Sequence, residues 1–171
     1  MRNYIAAALV AGSLAIGLTA CSTGGYVQSG AVTAKAVEPD QAKPTTATFG
    51  QTWTWNDGLA VTISQPTPFD PDQYAAGATQ AANVLFTVTV TNNSQESVKT
   101  TLSMVNVNSG GVAGSKIIDI ENNLGGFAPQ TPLLPGQQVS WNVAFSVTDP
   151  SNITMQFDLN DFDHDAVVFT S

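Results

Sequence analysis

Basic side chains are scarce in this sequence: its 171 residues hold 5 Lys and Arg against 13 Asp and Glu, for a formal net charge of −8. A chain this acidic has no basic stripe with which to neutralise phosphates, which excludes nucleic acid as a partner on electrostatic grounds. Adhesion to anionic lipid headgroups is unfavourable for the same reason. Histidine occurs once, as His164, and cysteine once, as Cys21. The single histidine excludes any mechanism that needs two imidazoles, and the single cysteine excludes an intrachain disulfide, so the fold must hold without covalent staples. His-Glu-x-x-His, Gly-x-Ser-x-Gly, Ser-x-x-Lys and phosphate-cradling glycine loops are all missing. No segment has a convincing helical period, which removes architectures built on helical crossovers. The 43% of hydrophobic residues is enough for one domain with a real core, and the length is too short for several.

Only one apolar stretch stands out by length. Arg2 is followed from Tyr4 to Leu18 by apolar or small residues, fifteen in all, too few to cross a bilayer comfortably but right for the core of a secretory signal. The stretch ends in Leu18-Thr19-Ala20-Cys21, which resembles the lipobox of bacterial lipoproteins. The resemblance implies cleavage before Cys21 and acylation of its thiol by diacylglycerol, with palmitate-type chains anchoring the protein to the outer face of the cell membrane. Residues 1–20 are thus read as a lipoprotein signal peptide. Residues 21–44 are read as the lipidated cysteine and a flexible tether, poor in large apolar residues and rich in Gly, Ser, Thr, Ala and Pro. Such a tether reaches on the order of 25 Å.

Residues 45–171 carry the all-β signature of short alternating runs separated by turn residues. Val139, Trp141, Val143, Phe145 and Val147 place one face in a core and leave Ser140, Asn142, Ala144 and Ser146 on a wet one. Val84 to Val90 and Ile153 to Leu159 repeat the pattern, and weaker runs cover 97–107, 116–120 and 166–170. The hairpin from Thr52 to Ile63 has two possible registers. A two-residue Asp57-Gly58 turn sets Trp53 and Trp55 on the face opposite Leu59, Val61 and Ile63. A three-residue Asn56-Asp57-Gly58 loop pairs Trp55 with Leu59 and Trp53 with Val61, and collects the apolar residues on one face. The second buries more and is preferred, which makes both tryptophans core residues. About eight strands without a helix suggest an immunoglobulin-like antiparallel β-sandwich without disulfide.

Phe49-Gly50-Gln51, the run 58–63, the run from Val84 to Ser94 and Leu134-Pro135-Gly136-Gln137 ahead of the Trp141 strand occur in that order behind a lipobox and tether. In this the chain resembles the extracytoplasmic immunoglobulin-like domains of unknown function found in Gram-positive, especially actinobacterial, lipoproteins and secreted antigens. The resemblance implies an immunoglobulin-like fold at the cell surface and carries over no catalytic residue.

Chemistry is concentrated in one place, Asp158-Leu159-Asn160-Asp161-Phe162-Asp163-His164-Asp165. Asp161, Asp163 and Asp165 stand at the i, i+2, i+4 spacing that lets a loop present oxygens to one calcium ion, and Asp158 and Asn160 could add to them. Against an EF-hand, Ala166 stands where the invariant glycine belongs, and the twelfth position lies beyond Ser171. The competing reading is a well-hydrated acidic hairpin turn, in which the surrounding aspartates raise the pKa of His164. The leading expectation is a non-enzymatic, lipid-anchored surface module that binds a protein or cell-wall polymer. A calcium-dependent module is the alternative, and a small hydrolase using His164 is a more distant one. The apolar, proline-rich connection 122–135 is read as a cover for the open end of the sandwich in preference to a partner-binding edge.

Overall fold

The computed structural model describes residues 45–171, so the residues read as a signal peptide (1–20) and as a lipidated cysteine and tether (21–44, with Cys21) lie outside the described residues. The described chain is all-β, and its strands form the two sheets of a sandwich. In chain order the strands are β1 (Thr46–Thr48), β2 (Thr52–Thr54), β3 (Leu59–Ile63), β4 (Thr67–Pro68), β5 (Ala82–Asn92), β6 (Met104–Ser109), β7 (Val112–Ala113), β8 (Ser115–Ile117), β9 (Gln138–Val147), β10 (Ile153–Asp158) and β11 (Val167–Thr170). One sheet runs β1-β11-β10-β6-β7, and the other runs β2-β3-β5-β9-β8 with β4 attached to β5.

The three long alternating runs form β5, β9 and β10, because their odd-numbered or even-numbered apolar residues all meet between the sheets. Phe86, Val88, Val90, Val143, Phe145, Met155, Phe157 and Phe169 are buried there. Phe49 enters the same core, its ring tilted against Phe86 at a centroid distance of 5.2 Å and stacked on Phe169 at 6.3 Å. The hairpin takes the three-residue register: Trp53 pairs with Val61, and the Trp55 amide donates to the Leu59 carbonyl at 2.9 Å. Gly58 has φ +100°, and a Cβ there would lie 2.9 Å from the Asn93 carbonyl oxygen, so the turn requires glycine twice over. Both tryptophans are half-buried against the core.

Four expectations are corrected. The sandwich is not wholly antiparallel, since β1 runs parallel to β11 in the register Thr46↔Val168 to Thr48↔Thr170. Eleven strands replace about eight, the extra ones being pieces as short as the two residues of β4 and β7. The weak 97–107 run is strand only from Met104, with Val98 making an isolated bridge to Leu133. The outer face of β9 is wet only in its first half. There Thr87, Thr89 and Thr91 hydrogen-bond across to Asn142, Ser140 and Gln138. In the second half Ala144 and Ser146 are buried, under segments 69–80 and 115–126, which add a small second core of Ile117, Leu124 and Ala144. The 122–135 connection divides: Ala128 and Leu133 are buried, and Phe127 and Leu134 are exposed.

Candidate functional site

Three connections converge where β5 and β10 end: the β2–β3 turn, the segment that follows β5, and the β10–β11 loop. Together they line an open cleft of about 1040 Å³.

Each wall is built by local polar chemistry. In the β2–β3 turn, Asp57 accepts the Leu59 amide on Oδ1 at 3.0 Å, which leaves Oδ2 free to point away from the hairpin. After β5, the buried Asn92 side chain acts as the knot. Its Nδ2 donates to the carbonyls of Glu96 (2.7 Å) and Leu133 (2.9 Å), and its Oδ1 accepts from the Ser94 amide and hydroxyl at 3.0 and 2.7 Å. All hydrogen-bonding positions of that amide are satisfied, as its complete burial requires. In the β10–β11 loop, Asp158 Oδ1 accepts the Asn160 amide at 2.7 Å, and Asp161 Oδ1 accepts the amides of Asp163 and His164. These bonds hold Asn160 and Phe162 at φ of 57° and 66°, a left-handed conformation costly for a phenylalanine.

His164 joins two of the walls. Its Nδ1 lies 2.7 Å from Asp161 Oδ2 and its Nε2 lies 3.1 Å from Asp57 Oδ2, a residue 107 positions away in sequence. The ring meets Trp55 edge-on, with centroids 5.2 Å apart, and the Trp55 indole N–H donates to the Asp165 carbonyl at 3.1 Å. The His164 side chain is only 11% exposed, which corrects the expectation of a solvated residue. Burial of the ring pulls its pKa down, but the hydrogen bonds and negative charges of Asp161 and Asp57 outweigh this and hold it above the usual 6.5. For Asp57, burial acts upward, and the Leu59 amide and His164 together bring its carboxyl below 3.8. Both shifts favour the same state, an imidazolium donating to two carboxylates.

The arrangement has chemical consequences. A general base needs one ring nitrogen free to take a proton from a nucleophile, and here both nitrogens are engaged by carboxylates. Among the described residues no hydroxyl is hydrogen-bonded to the ring. Of the five calcium-ligand candidates, Asp158 and Asp161 turn carboxylate oxygens onto their own loop's amides, and Asp161 gives its other oxygen to His164. Asn160, Asp161, Asp163 and Asp165 line the cleft. Among the described residues no group of three or more His, Cys, Asp or Glu side chains is disposed to hold a metal ion.

The cleft's exposed surface has two characters. Phe162 is wholly exposed and Leu102 is 61% exposed, so two large apolar side chains stand in water at its rim. Asp57, Glu96, Asp161, Asp163 and Asp165 line it against the single lysine Lys99. Asp57, Trp55, Glu96, Lys99 and Leu102 are members that sequence reasoning missed. The signal for the first two was an Asp-Gly turn at the tip of a tryptophan hairpin, which showed the turn but not what the aspartate faces; the other three lie in or beside the run 97–107 that was read as a strand.

No family model matches the chain, and no curated protein matches it in sequence. Solved structures do resemble it. MPT63, a secreted protein from Mycobacterium tuberculosis, superposes with a TM-score of 0.52 at 20% identity, over 76% of this chain and 99% of that one. The yjhA protein from Bacillus subtilis gives 0.57 at 12% identity, over 72% and 97%. The ycdA protein from Bacillus subtilis, named as a candidate lipoprotein, gives 0.56 at 13% identity, over 73% of this chain and 39% of its own. At these identities the likeness is one of fold.

Proposed function

We propose that this chain is a non-catalytic binding module of the cell surface, anchored by lipid on Cys21 to the outer face of the membrane and engaging a protein or cell-envelope polymer through the cleft. The observation that carries the binding half is the cleft itself, which has a rigid polar frame, an exposed apolar rim and an imidazole whose two nitrogens are already occupied. A site built for acid-base work would leave one of those nitrogens facing a substrate. The anchoring half rests on Leu18-Thr19-Ala20-Cys21. The named secretion of one structural neighbour and the lipoprotein description of another are in keeping with it.

Expression of the full chain in a Gram-positive host with a clickable fatty acid tests the anchor. Label should enter the protein and vanish in Cys21→Ala. Absence of label from the native chain, or its persistence in Cys21→Ala, defeats the anchor. Turnover of ester or wall-polymer substrates, lost on His164→Ala, defeats the non-catalytic reading. Calcium titration followed by thermal unfolding addresses the alternative module: a calcium-specific rise of several degrees, absent in Asp163→Asn, would promote it.

A further inference from the structure

We infer that the cleft takes a cationic polypeptide segment of a partner protein, in which basic side chains alternate with or adjoin a large apolar one. The inference rests on the binding-module reading above and names the ligand class of the same site. Charge selects the sign of the occupant. Five carboxylates and one lysine line the cleft, and the side-chain carboxylates of Glu96, Asp163 and Asp165 accept no hydrogen bond from any described residue and form no ion pair, although the backbone carbonyls of Glu96 and Asp165 do accept side-chain donors. Lys99 lines the same cleft and pairs with none of them, so these charges are not consumed internally.

The apolar rim is an independent observation and selects a polypeptide over a small cation. Phe162 is wholly exposed although its backbone sits in a conformation that disfavours its side chain, and Leu102 stands exposed on the same cleft. The hydroxyls of a wall glycan can donate to carboxylates but bring no positive charge to offset five of them, and they would leave Leu102 without a partner. A basic peptide pairs guanidinium or ammonium groups with Glu96, Asp163 and Asp165, and covers Phe162 and Leu102 with an apolar side chain. Arginine suits both, since its guanidinium also stacks on an aromatic face. Tyr74, Ile120 and Phe127 are exposed as well, but they do not line the cleft.

The test is fluorescence anisotropy of the full chain in neutral detergent micelles with a labelled peptide alternating arginine and leucine. The comparison peptides replace arginine by glutamate, or leucine by serine. Binding is expected for the first peptide alone, weakening with added salt. Phe162→Gly should weaken it at least roughly tenfold, and Leu102→Ser and Asp163→Asn should each weaken it several-fold. The Asp163 carboxylate holds no described hydrogen bond, so its amide variant should leave the fold intact. Equal affinity across the variants, or equal binding of the glutamate peptide, overturns the inference. Binding of a soluble wall glycan that is lost on Phe162→Gly, with no peptide binding, also overturns it but leaves the binding module standing. Substrate turnover removes both.

Discussion

The two ends of the β5–β9 pair are finished in opposite ways. Where β5 begins, segments 69–80 and 115–126 close over the sheet by backbone pairing and by the Asp119 carboxylate, which accepts the Asp72 amide at 2.8 Å. Ala76 and Ile118 exchange amides at 2.9 Å, Ser146 receives the Gln80 amide at 2.8 Å, and Ile117, Leu124 and Ala144 form a second small core. Where β5 ends, walls are held apart by side chains. Asn92, Asp57, Asp161 and His164 brace a cleft, and Phe162 and Leu102 are left in water. The first end closes its backbone and buries a small core, with Tyr74 and Ile120 left exposed on its two segments. The second gathers uncovered carboxylates and exposed apolar side chains on one braced cleft, the combination on which the proposed binding role rests.

The contrast breaks most visibly at Gly77. Its φ is +94°, and a Cβ there would lie 2.0 Å from the Lys116 carbonyl oxygen. Gly77→Ala should therefore cost about 3 kcal/mol or more, combining left-handed strain with a backbone clash. Denaturant unfolding measures it, and peptide binding by the surviving folded fraction should not change. If binding falls with stability unaffected, the two ends are coupled and the comparison is wrong.

At the open end the equivalent break is Asn92→Ala. It removes four hydrogen bonds in a fully buried position and leaves the carbonyls of Glu96 and Leu133 without that partner. The expected loss is about 2–3 kcal/mol. Unlike Gly77→Ala, it should also weaken binding, because the 93–102 wall loosens with it.

How far this division could be read from the sequence depends on the range of the interactions involved. Period-two alternation is local, so β5, β9 and β10 were legible. The hairpin register was too, because a slip by one residue would have moved Trp53 and Trp55 off the core face. By contrast, β1 is three residues long with one half-buried side chain, and nothing local announces a parallel partner at β11. The burial of Ala144 and Ser146 comes from loops without periodicity, so a pattern that promised water was overridden by tertiary cover. Asp161, three positions from His164, was in view, whereas Asp57 was not, since only the folded sandwich brings the first hairpin to the last loop.

The His164 brace makes the stability of the open end depend on pH. With its pKa held above 6.5, His164 contributes stability fully below pH 6.5, lost as pH rises through the folded value. Asp57, held below 3.8, contributes fully above pH 3.8, and loses it as pH falls through its own folded value. The two overlap between pH 3.8 and 6.5, where the brace is complete. Thermal unfolding should be highest there as far as this cluster is concerned, and His164→Gln should flatten the decline on the alkaline side. Its cost within the window should be about 1–2 kcal/mol, the worth of charge-assisted bonds that a neutral amide only partly replaces. A profile that declines equally in His164→Gln assigns the dependence to other groups.

The smallest effect has the opposite sign. Phe162 occupies a left-handed backbone position with its ring wholly exposed, so the fold gains nothing from the side chain and carries its strain. Glycine adopts that conformation freely, and the amide bonds onto Asp158 and Asp161 that shape the loop do not involve the Phe162 side chain. Phe162→Gly should raise stability by about 1 kcal/mol, a few degrees in the unfolding midpoint, while reducing peptide affinity at least roughly tenfold. A substitution that stabilises the domain and removes binding is hard to reconcile with a merely structural loop, since a structural phenylalanine would be missed by the fold. If Phe162→Gly instead destabilises the protein, the ring is held by contacts that its exposure belies, and the open end is as self-contained as the closed one.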